Sequence, residues 1–294
     1  MAILADRNTR VIIQGITGRE AATMSQEMLS YGTKVVAGVT PGKGGQKVHG
    51  IPVFDTMIEA VEKCGGDASI VSVPPLFAKD AVMEAAEVGI KLIVVLTERI
   101  PKSDVIEMLV YAESKGARVI GPNSPGIICP EETRLGYLGG SNPQKAYKKG
   151  AVGIISRSGG MCTELANILT RHGIGQSTVI GIGGDPVVGT TYTDLLPLFE
   201  KDEETKAVLL FCEPGGKKEE AAAEYIKEKF TKKVVVFFGG RFVDRMPGMR
   251  FGHASVIVRP GYGTTEEKIK LFKSAGCIVV EHYSEIPDVL KEVI

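Results

Sequence analysis

Apolar residues in this chain fall in short runs separated by stretches in which apolar positions recur every three or four residues. The runs at 10–14, 34–39, 68–73, 91–96 and 117–120 are rich in Val and Ile. They lack strict apolar–polar alternation, as expected of strands covered on both faces. Helical spacing fills 19–30, 77–88 and 102–115. Residues 51–54 read as a short strand, and 55–63 as a short helix with Asp55 at its N-cap. A second alternating set begins near residue 150. It has strands at 152–155, 178–182, 207–211, 233–238 and 277–280, and helices at 159–171, 190–200, 217–230 and 264–274, with one more helix at the end. Strands alternating with helices predict parallel sheets with helices on both faces. Between the two sets, 121–149 is rich in Gly, Pro and Asn and reads as an irregular connection. The expected class is α/β, with two doubly wound parallel-sheet domains. Residues 1–122 form a Rossmann-like domain, 123–149 a connecting segment, and 150–294 a flavodoxin-like domain.

Composition narrows the function. Of 294 residues, 44% are apolar, enough for two sizeable cores. Thirty-five basic residues balance thirty-five acidic ones, so no net field attracts a polyanion or an anionic membrane surface. No apolar run reaches membrane-spanning length. The opening residues carry no signal-peptide pattern. Five cysteines are scattered without a Cys-x-x-Cys pair, which suggests neither a disulfide framework nor a zinc site. A cytoplasmic location is expected.

In doubly wound sheets, ligands bind beyond the carboxyl ends of the strands. Gly15-Ile-Thr-Gly18 ends the first strand and opens a helix, whose N-terminal amides could hold a phosphate. It is not the Gly-x-Gly-x-x-Gly fingerprint, and no acidic residue clearly ends the second strand, so a nicotinamide cofactor is disfavoured. Lys43, in Pro41-Gly-Lys-Gly-Gly45, is a second phosphate candidate or an ordinary loop lysine. Ser156-Arg-Ser-Gly-Gly160 again joins a strand to a helix; spacing leaves Ser158 open between anion ligand and N-cap. Gly181-Ile-Gly-Gly-Asp185 is glycine turn chemistry at a strand end. Glu213 ends the strand at 207–211. In the stretch 249–256, His253 lies between Gly252 and Ala254, so nothing bulky in sequence shields its ring. Glu213 could hydrogen-bond one ring nitrogen of His253 and leave the other nucleophilic. A solvated loop Glu and a surface His are the alternatives.

These motifs, in the same order as Gly38-Val-Thr-Pro-Gly-Lys-Gly-Gly45, Ile51-Pro-Val-Phe54, Gly121-Pro-Asn-Ser-Pro-Gly126 and Gly252-His-Ala254, resemble the succinyl-CoA synthetase α subunit family over essentially the whole chain. The resemblance implies a CoA-binding first domain and a ligase second domain. It also implies a β subunit of ATP-grasp fold that binds Mg-ATP or Mg-GTP in a hetero-oligomer. His253 takes the place of the histidine that is phosphorylated, and Glu213 that of the glutamate that steadies it. CoA contacts fall on Thr17, Gly18, Arg19, Glu20, Lys43, Leu96, Thr97 and Glu98. Ser158, Gly159, Gly160 and Thr163 fall at the substrate and phosphate.

Departures bear on the acid. The family usually has Ser-Arg-Ser-Gly-Thr-Leu-Thr-Tyr-Glu, whereas this chain has Gly160 and Thr163 in place of Thr and Tyr. Smaller side chains leave room for a larger acid. Ser156-Arg-Ser-Gly-Gly-Met161, Leu138-Gly-Gly-Ser141 and Phe251-Gly-His253 resemble the citrate-activating members, citryl-CoA synthetase and ATP-citrate lyase. Ser124 stands where Cys is usual, and Glu20, Ala21 and Arg99 depart from the common CoA-loop residues. The expectation is an acid–thiol ligase subunit working through a phosphohistidine and an acyl phosphate, with citrate favoured slightly over succinate. The other-class alternative is a CoA-binding regulatory protein without turnover; a dehydrogenase is weaker still.

Overall fold

A computed structural model describes residues 2–246, 253, 256 and 263–294. The first half runs β1 (Arg10–Gln14), α1 (Arg19–Tyr31), β2 (Lys34–Val39), β3 (Lys47–Val48), β4 (Ile51–Phe54), α2 (Met57–Cys64), β5 (Ala68–Val71), α3 (Ala78–Glu87), β6 (Leu92–Val95), α4 (Lys102–Ser114) and β7 (Arg118–Ile120). Its sheet has the order β3-β4-β2-β1-β5-β6-β7. Apart from β3, which pairs antiparallel with β4, every pair is parallel. Sequential parallel strands therefore step outward from β1 in one direction through β2 and β4, then in the other through β5, β6 and β7. This is the dinucleotide-fold order, with its reversal between β1 and β5.

The second half comprises β8 (Gly126–Cys129), β9 (Thr133–Gly136), β10 (Lys149–Ser156), α5 (Gly159–Arg171), β11 (Gln176–Gly181), α6 (Tyr192–Lys201), β12 (Ala207–Cys212), α7 (Lys218–Lys229), β13 (Lys233–Phe238), α8 (Thr265–Ser274), β14 (Ile278–Val280) and α9 (Ile286–Lys291). The order β14-β13-β12-β10-β11-β8-β9 places the reversal between β10 and β12 in a flavodoxin-like parallel core. The central strands β11 and β12 are buried throughout and β10 over its last five residues, and the apolar stretches within them read as continuous runs.

Two expectations differ from the structure. The segment 121–149 is not merely irregular: β8 and β9 form an antiparallel hairpin on the edge of the second sheet. Its glycines serve close backbone approach, not looseness. A Cβ on Gly126 would lie 1.8 Å from the Leu135 carbonyl oxygen, and one on Gly136 2.4 Å from that of Pro125. The cap of α2 is Thr56, whose hydroxyl accepts from the Glu59 amide at 3.2 Å, and not Asp55. The Asp55 carboxylate instead accepts from the Gly44 amide at 2.9 Å, bracing the 40–45 loop.

One apolar cluster runs from Val11, Ile13 and Ile70 through Ile127 and Leu135 to Ile180, Leu210 and Val236, so the halves share a core. The hairpin reinforces this junction. Wholly buried Arg134 donates to the Glu27 carboxylate on α1 at 2.9 Å and to the carbonyls of Gly136 and Gly140 at 2.9 and 2.6 Å. Among the described residues no helix is long and apolar enough to cross a membrane.

Candidate active site

The reversal of strand order in the second sheet separates β10 from β12, and the residues that leave these two strands converge there. After β10 the chain turns through Arg157 and Ser158 into α5. The Ser156 hydroxyl accepts from the Ser158 amide at 3.1 Å and donates to the Ser158 carbonyl at 2.8 Å, which holds the turn. Ser158 is the N-cap: its hydroxyl lies 3.4 Å from the Met161 amide. After β12 comes Glu213, whose Oε2 lies 2.8 Å from Nδ1 of His253. A carboxylate there only accepts, so Nδ1 carries the hydrogen and Nε2 keeps its lone pair. The His253 side chain is 26% exposed and that of Glu213 12%, leaving the ring reachable and the carboxylate sheltered.

Ser158, Glu213, Pro214, Gly239, Phe242 and His253 line one cavity of about 280 Å³. The helix terminus and the imidazole therefore face a common space, and the first-turn amides of α5 favour negative charge in it. Gly184 supports the ring from the β11 side; a Cβ there would lie 2.4 Å from the imidazole Cδ2. Its neighbour Asp185 accepts from Asn123 Nδ2 at 3.0 Å, and its carbonyl accepts from Lys218 Nζ at 3.2 Å. Burial, reinforced by the Arg157 charge, brings the Lys218 ammonium down to about 8.

Not every residue expected at the acid lies here. Gly159 packs on Pro125, at 3.0 Å from its own would-be Cβ. A Cβ on Gly160 would meet nothing within 4 Å, so that position borders open space. Thr163, a turn further on, is absent from the cavity lining, and its hydroxyl is 2.9 Å from that of buried Tyr147.

A second cleft, of about 570 Å³, lies at the strand-order reversal of the first sheet. Gly18, Arg19, Glu20, Leu96, Thr97 and Glu98 line it together, so six of the eight expected CoA contacts meet. Thr17 is outside the lining, its hydroxyl 3.2 Å from that of Thr40. Lys43 is exposed and lies outside the lining. The N-cap of α1 is Gly18, which has no side chain to satisfy the first-turn amides, and Arg19 follows it. Uncapped amides beside a guanidinium suit a phosphate-bearing ligand. Ala21 and Arg99, two of the departures from the common CoA-loop residues, line it as well, and sequence reasoning missed Ser72, Val73, Pro74, Pro75 and Tyr137, which complete the lining. The Ser-Val-Pro-Pro stretch follows a strand end, and that position was the available signal. Tyr137 arrives from the hairpin, its hydroxyl 3.4 Å from that of Ser72.

Comparison with known proteins matches each half of the chain to a domain family. A CoA binding domain is matched over residues 6–99 and a CoA-ligase domain over 155–278. The chain is 49% identical to a succinate–CoA ligase [ADP-forming] subunit alpha 2 from Archaeoglobus fulgidus, over all of both chains. It is 47% identical to the corresponding α subunit of Staphylococcus aureus, over 99% of this chain and 95% of that one. Among solved structures, an ATP citrate lyase from Methanothrix soehngenii in complex with citrate and coenzyme A superposes with a TM-score of 0.91 at 26% identity. That match covers 99% of this chain, which spans 50% of the lyase chain. The chain belongs to the family of succinate–CoA ligase α subunits, acid–CoA ligase components built from a CoA-binding and a ligase half.

Proposed function

We propose that the chain is the phosphohistidine-bearing subunit of a nucleotide-dependent succinate–CoA ligase, working in the cytoplasm with a β subunit that supplies Mg-nucleotide. The observation that carries this reading is the His253–Glu213 pair, 2.8 Å apart, in the same cavity as the N-terminus of α5. With Nδ1–H held by Glu213, Nε2 attacks the terminal phosphorus of the nucleoside triphosphate, and the P–O bond to the diphosphate breaks. The succinate carboxylate then takes the phosphoryl group: its oxygen bonds phosphorus, the P–N bond breaks, and the imidazole leaves. The thiol of CoA loses its proton and attacks the acyl phosphate carbonyl, expelling inorganic phosphate. Glu213 stabilises the imidazole while it is electron-poor, and the α5 amides take up phosphate charge. Gly18, Arg19, Glu20, Leu96, Thr97 and Glu98 are assigned to CoA. Five unpaired cysteines, four of them buried, accord with a reducing compartment.

Succinate is preferred because the relatives at 47–49% identity carry that name. The chemistry of positions 160 and 163 leaned the other way. Thr163 weighs less than its size suggested, since its hydroxyl is engaged by Tyr147. Citrate remains the second reading on one observation, the open space beside Gly160. The deciding experiment uses the chain co-purified with its partner, following thioester formation from CoA and Mg-ATP with succinate or citrate at equal concentration. Faster turnover with succinate is expected; faster turnover with citrate would reverse the assignment. His253→Asn should abolish turnover in the same complex while leaving CoA affinity unchanged. Full activity in that variant would sink the phosphohistidine relay, and no thioester from either acid in wild type would count for another acid or for a CoA-binding regulator.

A further inference from the structure

Behind Glu213 lies a layer of charge that the reaction as described does not use. Glu219, in the first turn of α7, is wholly buried, as is Lys268 on α8; Arg157, in the turn entering α5, is 1% exposed. Glu219 Oε1 accepts from Arg157 Nη1 at 3.2 Å and Oε2 accepts from Lys268 Nζ at 2.6 Å. Both cations also reach Glu213. Arg157 Nε lies 3.9 Å from Glu213 Oε2, the oxygen that bonds His253. Lys268 Nζ donates to the Gly215 carbonyl at 2.6 Å and lies 3.4 Å from that of Glu213, gripping the backbone on both sides of Pro214.

We infer that Glu219 is a positioning residue for the phosphoryl transfer, holding Arg157 and Lys268 so that the Glu213 carboxylate is kept for His253. The inference rests on the ligase reading above. Its logic is competition for one oxygen. A carboxylate partner offsets much of the desolvation of a buried guanidinium. With Glu219 charged, Arg157 has that partner and stands off from Glu213. With Glu219 neutral, Glu213 is the nearest remaining carboxylate to Arg157. The guanidinium then draws Oε2 away from Nδ1, and the imidazole loses its carboxylate partner. Other charged or titratable groups facing this layer are Glu220, 3.5 Å from Lys268, and Lys218, Tyr192 and Cys212. None of these links Glu219 to Glu213 as Arg157 and Lys268 do, since only those two are within 4.0 Å of both residues among the described contacts.

The test is Glu219→Gln in the full chain assembled with its partner, read in two independent ways. First, phosphohistidine formation from labelled Mg-ATP is timed in a single turnover. Second, the His253 imidazole is titrated by NMR with labelled histidine, assigned by the loss of its signal in His253→Asn. The expected result is an imidazole midpoint about one unit lower and phosphorylation about tenfold slower, with CoA affinity unchanged. Slow phosphorylation with an unmoved midpoint would make Glu219 a purely structural residue and overturn the inference, as would wild-type values for both. If Glu219→Gln does not fold, Glu219→Asp takes its place. It retains the charge at a shorter reach, and a smaller downward midpoint shift supports the inference whereas an unmoved one overturns it. The titration needs no turnover, so absence of phosphohistidine in the wild type would refute the ligase reading separately.

Discussion

At the scale of single residues, the imidazole is confined by its neighbours as much as by its hydrogen bond. A methyl group on Gly184 would lie 2.4 Å from His253 Cδ2 and 2.8 Å from Nε2, inside any real carbon contact. In Gly184→Ala, either the ring leaves Glu213 or the 181–186 turn shifts. Such overpacking costs about 1–3 kcal/mol, which corresponds to phosphorylation slowed by about 5- to 150-fold. Single-turnover labelling measures this; a rate within twofold of wild type would show that the ring works elsewhere. His253 and Glu213 were legible in the sequence, one flanked by small residues and the other at a strand end. The layer beneath them was not. Lys217-Lys-Glu-Glu220 looks like the charged opening of a surface helix, and Lys268 like one of many lysines along an amphipathic one. Only the packing of α7 and α8 over the sheet turns Glu219 and Lys268 inward.

At the scale of elements, α8 begins directly after the stretch that carries His253, and its start is heavily fastened. Thr264 and Glu267 form a reciprocal capping box: the hydroxyl accepts from the Glu267 amide at 3.3 Å, and the carboxylate accepts back from the Thr264 amide at 3.4 Å. Asp244 receives the Thr265 amide at 2.9–3.0 Å, tying the 241–245 turn to the same point. Gly215 donates to the Gly263 carbonyl at 2.9 Å, so the Glu213 loop joins it as well. Thr264→Ala removes the cap and should destabilise α8 by about 1 kcal/mol. Amide exchange in its first turn should then quicken about fivefold, and unchanged exchange would show the Asp244 contacts to be sufficient alone. Strands and helices of both sheets were legible from periodicity, because buried parallel strands and amphipathic helices differ strongly in pattern. The hairpin of β8 and β9 was not. Its glycines allow two backbones to touch, and composition alone does not distinguish that use from a loose connection. The two-residue strand β3 is too short to carry a period.

At the scale of the whole molecule, two strand-order reversals place two crevices on one chain, and the segment between the halves is tied to both sheets. Asn123 reaches Asp185, Ser124 donates to the Gly181 carbonyl at 2.5 Å, and Thr190 donates to that of Val119 at 2.7 Å. Tyr137 lines the first cleft although its hairpin belongs to the second sheet. Tyr137→Ala should therefore weaken CoA binding, by about 5- to 10-fold for one aromatic wall. Calorimetric titration decides it, and unchanged affinity would remove the tyrosine from the site. The hairpin thus joins the first cleft to the second sheet, and such a joint has a thermodynamic reciprocal. Whatever free energy β9 contributes to a ligand in the first cleft, that ligand returns to β9, and hence to the edge of the sheet that presents His253 and Glu213. The catalytic half should accordingly be at its stiffest when the thiol donor is already in place.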